Sequence, residues 1–290
     1  MRREKRMQRK GKLEGGILIF LLLFSGLLLG QIQRKLVTDC FPVPVLESEA
    51  FRQLKLSPEN YEKLLERCDG QRQLMGRETA AAMAAADFDL SEKMLPDKEQ
   101  CERTEHLLLR FCGEEYRKLQ GAYQALLAEQ LVFPIPEREG EKEEIGYEDS
   151  FLAPRTYGGN RSHEGTDLFG AVALRGYYPV LSVSEGTVEQ VGWLPLGGYR
   201  IGIRQTRGVY YYYAHLDSYA RKWKEGDTVQ AGELLGFLGD SGYGEEGTKG
   251  QFPPHLHFGV YLKTEEKEEL SVDPYWLLKT AEKNKRKYAY

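Results

Sequence analysis

Five side chains in the C-terminal half are of the types that hold a divalent metal or move a proton. His255 and His257 stand one residue apart in the apolar run Pro254-His255-Leu256-His257-Phe258-Gly259-Val260. Side chains alternate across a β-strand, so both imidazoles face one side, roughly 7 Å apart by two steps of strand rise. One ring can bind a metal while the other attends the chemistry beside it. His215 lies in Tyr213-Ala214-His215-Leu216, and His163 and Asp167 lie in His163-Glu164-Gly165-Thr166-Asp167. A strand histidine alone is more often an ordinary hydrogen-bonded side chain, but four of the five histidines fall in this one stretch. Two neutral imidazoles and one carboxylate suit zinc, leaving a fourth position for a water whose pKa falls to about 7. That is hydrolase chemistry.

The elements that must position these groups read as strands. After residue 145 the chain turns into short β-rich segments, 180–183, 187–191, 209–214, 234–238 and 256–262, with Tyr199, Ile201 and Ile203 alternating against Arg200, Gly202 and Arg204. Gly186, Gly197-Gly198, Gly208 and Gly226-Asp227 punctuate them, which predicts a mainly β domain with tight turns. The glycine-rich run 236–242 is no phosphate loop, because no helix follows to present its N-terminus. Residues 240–254 read as a long loop that walls a groove and leads into the paired histidines.

Residues 33 to about 132 read as largely helical. Ser57-Pro58 is a helix start, Gly70 a stop, and 79–86 an alanine-rich helix. A longer helix starts near Asp97, with Gln100 three residues on as a capping partner. Cys112, Tyr116, Leu119, Tyr123 and Leu126 form its apolar stripe, and Pro134 and Pro136 end it. Unbroken over 98–130, that helix would hold Cys101 and Cys112 about 16 Å apart, too far to bridge, although Gly113 can break it. Cys40, Cys68, Cys101 and Cys112 thus read either as disulfide partners across helices or as buried thiols, and no C-x-x-C spacing suggests a second zinc site. The lone His106 carries no ligand role. The region is a spacer or docking module, or a small helical domain packed on its neighbour. A charged run near 137–144 reads as a solvated linker.

Arg2, Arg3, Lys5, Arg6, Arg9, Lys10 and Lys12 precede an apolar stretch at 15–32. About 18 helical residues span roughly 27 Å, enough for a short membrane anchor with its basic end in the cytoplasm. No small-x-small site favours cleavage. The net charge of −4 excludes a general nucleic-acid binder, which needs a basic stripe.

The blocks H-x-x-x-D, Y-A-H-L and H-L-H-F, in this order within one glycine-punctuated β domain, resemble the lysostaphin/LytM-type zinc endopeptidases of bacterial cell walls. Glu185-Gly186-Thr187-Val188, Gly226-Asp227-Thr228-Val229 with Gly232 and Gly236, and the closing Val272-Asp273-Pro274 fit the same pattern. The resemblance covers roughly residues 150–278. It implies one Zn²⁺ per chain held by His163, Asp167 and His257. His255 and His215 would line the site to activate water or stabilise the oxyanion, and Tyr157 would assist. Two departures stand out: the 240–254 loop is longer than usual, and Gly259 and Val260 replace a commonly acidic position.

The expected fold is α+β overall: a basic tail (1–14), a transmembrane signal-anchor (15–32), a helical region (33–135), a charged linker (136–149), an all-β antiparallel peptidase domain (150–278) and a C-terminal tail (279–290). The expected function is a membrane-anchored, extracytoplasmic zinc metalloendopeptidase acting on peptidoglycan stems or cross-bridges, with peptidoglycan peptides and the membrane as partners and no nucleic acid. The alternatives are a silent lysostaphin-like scaffold in a division or sporulation complex, and a carbohydrate-binding β domain without metal.

Overall fold

The structure is a computed structural model, and it describes residues 2–140, 144–155 and 161–290. Helix α1 (Arg2–Cys40) contains Gly16–Lys35, 20 residues apolar enough to cross a membrane and about 30 Å long at 1.5 Å per residue. Leu18, Phe20, Leu22 and Leu27 on it are exposed, so the rest of the chain does not cover this apolar stretch. The helix runs on past residue 32, where the apolar stretch ends.

Five further helices follow: α2 (Glu49–Arg52), α3 (Pro58–Arg67), α4 (Met75–Ala85), α5 (Lys98–Phe111) and α6 (Gly113–Leu127). Ser57 Oγ accepts the Asn60 N–H at the start of α3, with Pro58 in the first turn, and Asp97 accepts the Gln100 N–H at the start of α5. Each cap satisfies an amide that the first helical turn leaves without a partner. The expected long helix over 98–130 is two helices. Cys112 leaves helical geometry at φ −135° and Gly113 begins α6. The stripe beyond the break keeps its role, with Tyr116, Leu119, Tyr123 and Leu126 all buried. α4 lies so close to α6 that a Cβ on Gly76 would overlap the Gln120 carbonyl oxygen. Cys68, Cys101 and Cys112 are free thiols, while the Cys40 side chain lies outside the described ones. His106 is exposed on α5.

The C-terminal half is built on a sheet of ten strands among the described residues. They are β1 (Ile145–Gly146), β2 (Thr166–Gly170), β3 (Pro179–Leu181), β4 (Gly186–Leu194), β5 (Gly198–Arg204), β6 (Val209–Tyr219), β7 (Thr228–Val229), β8 (Leu234–Leu238), β9 (Leu256–Leu262) and β10 (Leu270–Val272). The order is β7-β4-β5-β6-β9-β2-β1, with β8 on β6 and β3, and β10 on β9; all these pairings are antiparallel. Period-two alternation sorts β6: Tyr211 and Tyr213 enter the core and meet Phe258, while Tyr210 and Tyr212 face the groove. The all-β antiparallel expectation for this half is borne out.

Two segments depart from their expected roles. The charged run is not wholly a solvated linker, since Glu137–Arg138 pairs in parallel with Lys287–Tyr288, and β1 joins the main sheet through β2. The C-terminal residues are likewise structured: α7 (Tyr275–Ala281) buries Leu277 and Leu278, and the last residues pair back as just described. One apolar cluster runs from Phe51, Leu54 and Tyr123 through Phe133 and Ile135 to Tyr213, Phe258 and Leu277. The Val132 N–H donates to the Val183 carbonyl at 2.9 Å and the Leu181 N–H to the Pro134 carbonyl at 2.8 Å. The helical region therefore packs on its neighbour as one body.

Candidate metal centre and groove

The pairing of β2 with β9 sets Asp167 directly across from His257. His163 arrives from the turn before β2. That turn can close over His257 because residue 165 is glycine: a Cβ there would meet the Phe258 carbonyl oxygen at 2.6 Å and the His257 ring at 2.7 Å. Three atoms converge as a result. His163 Nε2 lies 3.0 Å from Asp167 Oδ1 and 3.0 Å from His257 Nδ1, and His257 Nδ1 lies 2.9 Å from Asp167 Oδ1. The edge of a zinc tetrahedron with 2.0 Å bonds is about 3.3 Å, so the spacing suits that ion. Among the described residues this is the one group of three or more His, Cys, Asp or Glu able to hold a metal.

The tautomers support the fit. His163 Nδ1 faces the Ser150 carbonyl oxygen at 3.2 Å and Ser150 Oγ at 3.0 Å. A carbonyl oxygen can only accept, so Nδ1 carries the proton and Nε2 turns a lone pair toward the carboxylate oxygen. A cation held between them would relieve that opposition.

His215 and His255 are anchored the same way but outside the triad. His215 Nδ1–H donates to the Ser241 carbonyl at 2.8 Å and His255 Nδ1–H to the Pro253 carbonyl at 2.9 Å. In each ring Nε2 is left as the acceptor, and that of His255 stands 3.7 Å from Asp167 Oδ1. The His215 and His255 rings are 4.8 Å apart. His215 is held at φ +60°, an uncommon backbone for a residue other than glycine. Its N–H donates to the Gly197 carbonyl at 2.8 Å, and buried Ser241, which also binds the Leu216 carbonyl at 2.6 Å, holds its ring.

Burial sets the protonation of the cluster. It pushes His215 down to about 3, helped by the charges of His255 and His257. Burial likewise lowers His255 and His257, with Asp167 opposing. For Asp167 burial would raise the carboxyl, while the His163 and His257 rings beside it lower it far below the usual carboxylate range when their facing nitrogens carry a proton. Its second oxygen, Oδ2, accepts from Arg155 Nη2 at 2.6 Å, leaving Oδ1 for the triad.

The centre opens into a groove of about 800 Å³ whose lining includes Tyr210, Tyr212, Tyr243, Phe252, Tyr261 and Glu269. The long loop supplies Tyr243 and Phe252, and Phe252 packs on His215 at 4.6 Å between ring centroids. Lys249 pins this loop to Asp217 Oδ1 at 2.7 Å. The loop thus walls the groove, as its position in the chain predicts. All five histidine and aspartate candidates of the C-terminal half are brought together, and Tyr157 lies outside the described residues. Sequence reasoning missed Ser150, Arg155 and Ser241. Only Ser241 had a signal, its place in the glycine-rich run before the histidine pair.

A sequence model of peptidase family M23 matches residues 161–274, the span that carries the triad and both further histidines. A crystal structure from Ruminococcus gnavus, assigned as the glycyl-glycine endopeptidase lytM, is 40% identical with a TM-score of 0.71, covering 85% of this chain and 96% of that one. The chain belongs to peptidase family M23. The L-Ala–D-Glu endopeptidase of Bacillus subtilis is 43% identical over 161 residues, which cover 56% of this chain and 47% of that protein. Lysostaphin of Staphylococcus simulans is 36% identical over 98 residues, 33% of this chain and 17% of that protein. The M23 chain spans about half the length, or less, of these curated relatives.

Proposed function

We propose that the chain is a zinc metalloendopeptidase that hydrolyses peptide bonds in peptidoglycan, anchored by α1 with its peptidase domain outside the membrane. The observation that carries the reading is the pairing of three converging ligand atoms with two neutral histidines whose Nε2 atoms are free. His163 Nε2, Asp167 Oδ1 and His257 Nδ1 would hold the ion. Zinc bound there supplies a Lewis acid that acidifies a water and polarises a carbonyl.

The residues around it do the rest. His255, anchored by its Nδ1–H, accepts the proton of the attacking water at Nε2. His215, held by Ser241 through Nδ1, faces the same space with Nε2 as an acceptor and helps His255 orient the attacking water. Tyr157 assists at the oxyanion. Arg155 keeps Asp167 oriented through Oδ2. The aromatic groove walls pack a peptide and exclude water from these steps. The names of the relatives point to two bonds, L-Ala–D-Glu for the Bacillus subtilis protein and glycyl-glycine for the Ruminococcus gnavus structure, so the substrate class is a peptide of peptidoglycan, stem or cross-bridge. The basic start and the exposed apolar helix support a single-pass anchor.

The test is mass spectrometry of muropeptides after treating peptidoglycan with the full chain in detergent, with and without a chelator. Release of peptide fragments that the chelator stops is the expected result, and their masses identify the bond. Full zinc occupancy with no fragment released from any wall preparation overturns the enzyme in favour of the scaffold.

A further inference from the structure

The support for His163 comes from a part of the chain upstream of the span that the family model matches. Residues 149–153 wrap this histidine on three sides. The Leu152 N–H donates to the His163 carbonyl at 2.8 Å, and the His163 N–H donates to the Ala153 carbonyl at 2.9 Å. The His163 ring, only 2% exposed, then points Nδ1 between the two oxygens of Ser150, Oγ at 3.0 Å and the carbonyl at 3.2 Å. Leu152 adopts φ +61° and the Ala153 N–H closes back on the Ser150 carbonyl at 3.1 Å, so the segment is a tight turn that cannot slide along the ring.

The turn is itself held from the helical half. The Arg52 guanidinium lies over the Phe151 ring, 5.5 Å from its centroid. Arg52 also donates from Nε to the Ser271 carbonyl at 2.9 Å and from Nη2 to Ser271 Oγ at 2.6 Å, which ties α2 to β10.

We propose that Ser150 is a positioning residue for the metal ligand His163: its hydroxyl and carbonyl oxygens share the Nδ1 proton and so fix both the tautomer and the ring plane that aim Nε2 at the ion. The inference rests on the zinc reading above. Outer partners of ligating histidines commonly set metal affinity by about 10–100-fold. Ser150 matters here because, among the described residues, Nδ1 has no other partner than its two oxygens.

The test compares Ser150→Thr with Ser150→Val in the full chain, because the two side chains have the same shape and differ by the hydroxyl. Zinc dissociation constants are measured by competition with a chromophoric chelator. The valine variant is expected to bind zinc about tenfold more weakly than wild type, and the threonine variant within about twofold of it. If valine and threonine bind zinc alike, whether both tightly or both weakly, the hydroxyl has no positioning role and the proposal falls by itself. If the wild-type chain takes up no zinc, the zinc reading falls and this inference with it.

Discussion

The helical half and the peptidase half hold their charged groups in opposite ways. In the helical half the ion pairs lie toward solvent: Lys63 meets Glu59 on the open face of α3 and Arg103 meets Glu99 on α5, with Glu105, buried beneath the exposed Arg77, the exception. In the peptidase half the polar groups are inside, with His163, His215 and His255 all buried and each ring fixed through Nδ1. Rim pairs contribute little because water solvates both partners equally well. Buried rings whose remaining nitrogens turn lone pairs toward one another are costly unless a cation or a proton occupies the space between them. The difference sets the buried polar cluster in the peptidase half, while the helical half closes the core under the sheet and braces the turn behind His163.

The sharpest way to break this contrast is His257→Ala. It removes a proposed ligand, so bound zinc, measured by elemental analysis, should be lost and hydrolysis should fall by about 10⁴ or more, the loss of several kcal/mol of Lewis-acid stabilisation. His255→Ala should separate the two classes of histidine: kcat falls by about 10²–10⁴ while zinc stays bound. Loss of zinc in that variant would make His255 a ligand and collapse the division of roles.

A titration tests burial at the seam between the halves. Asp273 accepts the Tyr275 N–H at 2.9 Å and its own N–H donates to the Arg52 carbonyl at 2.7 Å. Burial raises its carboxyl from 3.8 to about 8; the Tyr275 hydrogen bond opposes, and Asp149 adds to the rise while Lys55 opposes it. The unfolded chain releases this proton near pH 4 and the folded one only near pH 8, so between these values the native state binds more protons. Stability from this group is therefore complete below about pH 4 and is lost as pH rises through about 8, on the order of a few kcal/mol. Urea unfolding at pH 5 and pH 8 should show the fall in wild type, and Asp273→Asn should flatten it. Equal slopes in the two proteins would remove Asp273 as the cause.

Gly76→Ala should affect only the helical half. The added methyl meets the α6 backbone, so thermal unfolding should show a loss of about 2–3 kcal/mol with zinc affinity unchanged. At the small end, Lys63→Ala should cost less than about 1 kcal/mol by the same measurement. A larger loss would mean that the rim pairs carry more of the helical half than their exposure implies.

Much of the site was legible because its residue types are few and their spacing is regular. Histidines separated by one residue in an apolar strand, and a histidine four residues before an aspartate, stand out against a chain with five histidines in all. Caps at Ser57 and Asp97 and the alternation of Tyr199, Ile201 and Ile203 against Arg200, Gly202 and Arg204 are local signals, set by the backbone within a few residues. The missed residues act across distance. Ser150 is 13 residues from His163 and Ser241 is 26 from His215, and both present carbonyl oxygens, which every residue has. The same holds for Glu137–Arg138 and Lys287–Tyr288, whose polar residues read as solvated chain until the fold pairs them. Gly113 offered a break in the long helix, yet the alternative of an unbroken helix had equal local support.

By itself the sequence determined which side chains could hold a metal, the strand and helix periodicities that carry them, and an apolar segment of the length of a short membrane anchor. Each follows from residue type and short-range geometry. The tertiary structure decided which nitrogen of each imidazole faces the centre, which oxygen of Asp167 remains for the ion, and that the helical half braces the turn behind His163. Those depend on hydrogen-bond partners that only the pairing of distant strands brings within 3 Å or so.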